Sequence, residues 1–128
     1  GGDDEVQLRQ LHALVGTLKG ADVSLLKPAL ELAIRISTAI LREPANPKVR
    51  SIKRRGAAFQ KIEVFQTLVH ILEVVGFKFV NGPEGESVVF SPKASQYMLS
   101  EMRGLLEMEL KRISPPPPQG PPVGGPGP

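Results

Sequence analysis

With 128 residues, 41% of them hydrophobic, the chain is long enough for one domain with its own core. It has no cysteine, which excludes a disulfide framework, a thiolate metal site and a cysteine nucleophile. Net charge is only +3, and no apolar run reaches the roughly 18 residues of a membrane span. Nothing at the start resembles a signal peptide. Gly1-Gly2 reads as a cut end, so the chain is expected to be a piece of something longer.

Residues 5–19 place Leu8, Leu11, Val15 and Leu18 at helical spacing, which predicts an amphipathic helix ending near Gly20. A second helix is predicted over 25–42, with Leu26, Leu30, Ala33, Ser37, Ile40 and Leu41 on one face. Pro28 belongs in its first turn, where a missing N–H costs nothing. Asn46-Pro47 has the form of an N-cap followed by proline at the first helical position, so a short basic helix is expected over 47–55, stopped by Gly56. Residues 64–75 are apolar nearly all round, the pattern of a central buried helix, and Gly76 supplies its left-handed stop. Strands 77–80 and 87–90 flank a turn at 81–86 and form a β-hairpin. Ser91-Pro92 repeats the cap-plus-proline pattern and opens a last helix over 92–112, with Leu99, Met102, Leu106, Leu110 and Ile113 on one face.

The fold class is therefore α+β, mainly helical, with a small antiparallel β-sheet. Its predicted core includes Leu30, Ile34, Phe65, Leu68, Leu72, Phe77, Val89 and Leu106. Three parts are expected: an N-terminal amphipathic helix (3–20), the domain proper (21–113) and a tail (114–128). The tail holds eight prolines and four glycines in fifteen residues, which suits disorder with polyproline II character at Pro115 to Pro118.

Little in the chain suggests catalysis. His12 and His70 each stand alone in a helix, where a surface or satisfied core role is the ordinary one. There is no HExxH, no phosphate-binding glycine loop and no nucleophile elbow. Glu101, Glu107 and Glu109 lie among Arg103, Lys111 and Arg112 and read as solvated surface. No catalytic residue, metal or cofactor is expected.

The charge is distributed unevenly. Between Arg42 and Lys61 there are seven cations and one acid, Glu43, leaving nine cations and twelve acids elsewhere. The run is interleaved with Val49, Ile52 and Phe59. On a short helix, positions 49, 52, 53 and 56 would share a face that is part apolar and part cationic. Such a face suits an acidic peptide with a hydrophobic anchor. It suits nucleic acid less well, because stacking on bases wants exposed aromatics and this chain has one tyrosine and no tryptophan.

Three stretches, "ILREPANPKVRSIKRRGAAF", "VFQTLVHILEVVGFKF" and "SVVFSP", together resemble the PUB (PUG) domain found in peptide:N-glycanase and UBX-domain adaptors. The resemblance covers about residues 25–112. It rests on Asn46-Pro47 with Lys48 and Arg50, the Ser51-Ile52-Lys53 step, Phe59, the Gly76-Phe77 pair and the apolar strand 88–90.

The resemblance implies a helical domain with a small sheet on one side. It further implies an adaptor, not an enzyme, that binds the acidic C-terminal tail of a valosin-containing-protein-type AAA ATPase, which ends near a leucine–tyrosine pair. The setting it implies is ubiquitin-linked quality control and ER-associated degradation, in the cytoplasm with the nucleus as a second compartment. Carried over, the peptide-binding residues are Lys48, Val49, Arg50, Ile52, Lys53, Gly56 and Phe59. Lys48, Arg50 and Lys53 would face the acidic part of the peptide, and Ile52 and Phe59 would support the anchor pocket. The chain departs from the family at Val49, often tyrosine, at Gly56, often asparagine, and at Glu43, asparagine in some members. Losing a hydrogen-bonding side chain at 56 implies weak affinity, on the order of tens of micromolar or worse.

The alternative function is a nucleic-acid-binding module using residues 42–61. For the tail, Arg112 followed by Pro115 to Pro118 matches a basic residue before PxxP, a pattern that can dock an SH3-type partner, although a plain spacer is the commoner use.

Overall fold

The computed structural model describes residues 2–114. Helix α1 (Gly2–Gly16) runs through a short 3-10 turn (Thr17–Gly20) into α2 (Val23–Arg42). Strand β1 (Ser51–Lys53), α3 (Ala57–Glu63), α4 (Gln66–Val75), the hairpin β2 (Phe77–Gly82) and β3 (Gly85–Phe90), and α5 (Gln96–Ile113) follow. The fold is mainly helical α+β with a three-stranded antiparallel sheet in the order β1-β3-β2, in the class the sequence predicts. The tail beyond Ser114, with its polyproline character and the proline part of the SH3-type reading, lies outside the described residues.

Leu11, Val15 and Leu18 are buried in the same core as the rest of the chain. The N-terminal helix, which packs on α4 and α5, is thus an integral part of that core. Helix α2 starts earlier than its apolar pattern predicts because Asp22 caps it. The Asp22 carboxylate accepts from the Ser24 hydroxyl at 2.8 Å and the Ser24 N–H at 2.9 Å, and these two bonds hold its pKa below the ordinary value. The early start corrects the placement of Pro28: it sits inside the helix, past the first turn. Ser37, on the buried face, satisfies its hydroxyl by donating to the Ala33 carbonyl at 2.8 Å.

Helix α4 buries Leu68, Ile71, Leu72 and Val75, but His70 and Glu73 are exposed, so it is a wall of the core and not its centre. Gly76 stops it at φ 125°. The hairpin turn is tighter than predicted. Pairing continues to Gly82 opposite Gly85, leaving Pro83-Glu84 as the connection.

The largest difference from sequence is at 47–55, where no helix forms. Asn46 does cap locally, but its Oδ1 accepts from the Lys48 N–H at 3.0 Å in a tight turn. The chain then extends as β1, with Ser51, Ile52 and Lys53 opposite Val89, Val88 and Ser87 of β3. Strand pairing, which also takes in Phe90 N–H to Arg50 O and Arg54 N–H to Glu86 O, overrides local propensity. Gly56 begins α3 as its N-cap instead of ending a helix before it.

Strand alternation also moves one core assignment. Val88 and Phe90 point inward, and Val89 is half-buried on the outer face. Ile34 and Phe65 are likewise half-buried at the edge of the core, while Leu30, Leu68, Leu72, Phe77 and Leu106 lie inside it. Helix α5 starts at Gln96, later than predicted, because Ser95 caps it through the Met98 N–H, while Ser91-Pro92 forms a separate turn. Glu109, expected at the surface, is 7% exposed and accepts from Arg112 at 2.7 Å.

Candidate peptide-binding site

Two arginines of the basic segment serve the architecture. Arg50 donates from its guanidinium to the Pro44 carbonyl and, at 3.0 Å, to the Ser91 carbonyl. Its guanidinium carbon also lies 5.0 Å from the centre of the Phe90 ring. One side chain thereby ties the loop after α2 to the turn before α5. Arg54 lies 4.3 Å from the centre of the Phe79 ring and pairs with Glu86 at 3.0 Å and Glu63 at 3.3 Å. The Glu63 hydrogen bond, more than the attraction of either carboxylate, holds the Arg54 pKa further above its ordinary value. Arg54 joins β1, β3 and α3.

The other cations of the segment behave differently. Arg42, Lys48, Lys53, Arg55 and Lys61 are exposed, and none forms a salt bridge among the described residues. Lys53 and Arg55 border a notch shared with Gly56, Glu84 and Glu86, so carboxylates already stand at that end. Lys48 projects from the turn at the opposite end of β1.

The seven predicted site residues therefore do not make one helical face. Lys48 and Lys53 are exposed and available to a ligand, and Gly56 is half-buried at the start of α3. Val49 and Ile52 are half-buried with their side chains against the core. Arg50 is bound to two carbonyls. Phe59 has no exposed surface and packs edge-on against Phe79, with ring centres 6.2 Å apart. It can support a surface from beneath but cannot line one.

The largest cavity described, about 620 Å³, lies at the Arg50 end. Pro44, Pro47, Val89, Phe90, Pro92 and Gln96 line it beside Arg50. Only Arg50 among these belongs to the sequence-predicted set. Of the missed residues, Pro44 and Pro47 adjoin the predicted set, while Val89, Phe90, Pro92 and Gln96 come from a segment some forty positions further along, which no local pattern connects to the first. A trace of it is nonetheless present as a repeat. Asn46-Pro47-Lys48 and Ser91-Pro92-Lys93 have the same form, and both read as helix starts. In the structure both are turns in which the first side chain accepts from the lysine N–H, Lys48 to Asn46 Oδ1 at 3.0 Å and Lys93 to Ser91 Oγ at 3.3 Å.

The chain matches no protein-family model, and no curated protein is found to be similar to it. Among the described residues, no group of three or more His, Cys, Asp or Glu side chains could hold a metal ion, and no helix is long and apolar enough to cross a membrane.

Proposed function

We propose that this chain is a peptide-binding adaptor module that recognises an acidic chain end carrying a hydrophobic residue. The observation that carries this reading is the set of exposed cations between Arg42 and Lys61 that have no carboxylate partner among the described residues. Among them, Lys48, Lys53 and Arg55 are mounted on β1 and its flanking turns, which Arg50 and Arg54 fix, with the apolar walls of Pro47, Val89 and Pro92 at one end. Charge of this kind raises encounter rate and orients a partner, while an apolar anchor sets the lifetime of the complex. The PUB resemblance supplies the proposed partner, the C-terminal tail of a valosin-containing-protein-type AAA ATPase, and with it a place in ubiquitin-linked quality control.

Calorimetric titration with a synthetic acidic peptide ending in leucine–tyrosine, against a scrambled control, tests this function. Binding in the tens of micromolar, about −6 kcal/mol, is expected. Lys53→Glu should weaken it roughly fivefold and flatten its salt dependence, as befits the loss of about 1 kcal/mol from an exposed charge contact. Gly56→Asn should strengthen it if the acidic stretch of the peptide extends to the start of α3, where the family's hydrogen bond would be rebuilt. The backbone permits the change, because Gly56 has φ −68° and an added Cβ would stand 3.4 Å from the Lys53 carbonyl oxygen. Asparagine is moreover a favoured N-cap. No binding at millimolar peptide would refute the reading.

A further inference from the structure

We infer that the hydrophobic residue of the acidic chain enters the cavity between the Asn46-Pro47-Lys48 and Ser91-Pro92-Lys93 turns, and not a cleft beside Ile52 and Phe59. The inference rests on the acidic-peptide reading and assigns it a place.

Three observations lead there. The first is shape. Phe59 is fully buried and Ile52 faces the core, so that side of β1 offers a ligand side chain no pocket of its own. The cavity at the Arg50 end is about 620 Å³, with Pro47, Val89 and Pro92 as apolar walls and Gln96 as a polar group. That space admits a leucine or an aromatic ring.

The second observation is charge. Lys48 follows Pro47 and Lys93 follows Pro92, and both are exposed. Lys78 is the cross-strand neighbour of Val89 on the outer face of the sheet. None of the three forms a salt bridge among the described residues. The nearby carboxylate in sequence is Glu43, which accepts from Asn46 Nδ2 at 3.3 Å. At the Lys53 end, by contrast, Glu84 and Glu86 share the notch with Lys53 and Arg55, so its charge is mixed and its pull on an acidic chain weaker. An acidic peptide is therefore drawn toward the three lysines that adjoin the cavity walls at Pro47, Pro92 and Val89.

The third observation is preparation. Arg50 bridges the two loops that form the walls, and the prolines fix their backbone, so the cavity exists before a ligand arrives.

The test uses the same acidic leucine–tyrosine peptide on the full chain. Ala45 also lines the cavity and is exposed, so Ala45→Trp fills the cavity and should weaken binding at least tenfold. Lys93→Glu should weaken it several-fold. Amide shifts on titration should cluster at residues 45–48 and 89–96. Thermal melting of each variant separates loss of the site from loss of the fold. If either variant melts early, the wild-type shift map alone decides. If Ala45→Trp folds and binds like wild type while Lys53→Glu weakens binding, or if the shifts centre on 53–59, this placement is overturned and the adaptor reading stands. If wild type fails to bind, both fall together.

Discussion

Gly76→Ala should be among the most destabilising single-methyl additions in this chain. Gly76 ends α4 at φ 125°, where an L side chain is strained by about 1–3 kcal/mol. Space is the second obstacle. A Cβ there would lie 2.3 Å from the Ala94 Cβ, and 3.6 Å from the Phe90 ring. Overpacking of that kind costs a further 1–3 kcal/mol or so. The Gly76 carbonyl also accepts from Ser91 N–H at 2.9 Å, so the contact cannot open without separating α4 from the turn before α5. Against a total stability of about 5–15 kcal/mol this is a large fraction. Gly104→Ala is the control. It stands in α5 with nothing within 4 Å of an added Cβ and should stabilise by up to about 1 kcal/mol. Urea denaturation reads both. A Gly76→Ala variant with an unchanged midpoint would show that the helix stop is built differently.

Phe59→Ala should cost about 3–5 kcal/mol, the range for a buried aromatic. Phe59 has no exposed surface and its ring meets Phe79 at an interplanar angle of 80°. Phe79 carries Arg54 on its ring, and Arg54 holds Glu63 and Glu86. Removing Phe59 thus loosens the packing under the hub that joins α3 to the sheet. The expected signature is a lower denaturation midpoint with peptide affinity nearly unchanged in the fraction that remains folded. If affinity falls tenfold while the midpoint stays put, Phe59 lines a binding surface after all.

The contrast between these residues shows which parts of the molecule can be read without coordinates. Gly76 is legible, because an apolar helix followed by glycine and a β-branched or aromatic run has few alternatives. The helices other than α3 and the hairpin are legible for the same reason: their periodicities are local. Residues 47–55 are not. A strand of three residues has too short a pattern to recognise, and Ile52 becomes part of a sheet only because Val88 lies opposite. The local grammar of Asn46-Pro47 then points to a helix that tertiary pairing forbids. Gly56 suffers the mirror error, since a glycine at a helix boundary reads equally as an end or a beginning. The cavity is the least legible feature, because its walls come from loops brought together by Arg50, whose guanidinium gives no sign in the sequence that it binds carbonyls and not a ligand.

Arg50 and Arg54 differ in what they grip, and the difference divides their response to dissolved ions. Both partners of Arg50 are neutral carbonyls, which carry no net charge to be screened. Both ion-pair partners of Arg54 are glutamates, and the pairs are about one third exposed. High ionic strength weakens such pairs and slackens the joint between α3 and the sheet while leaving the bridge between the two proline turns intact. The two ends of one strand, four residues apart, are fastened by different chemistry, so the cavity can outlast the hub as salt is added.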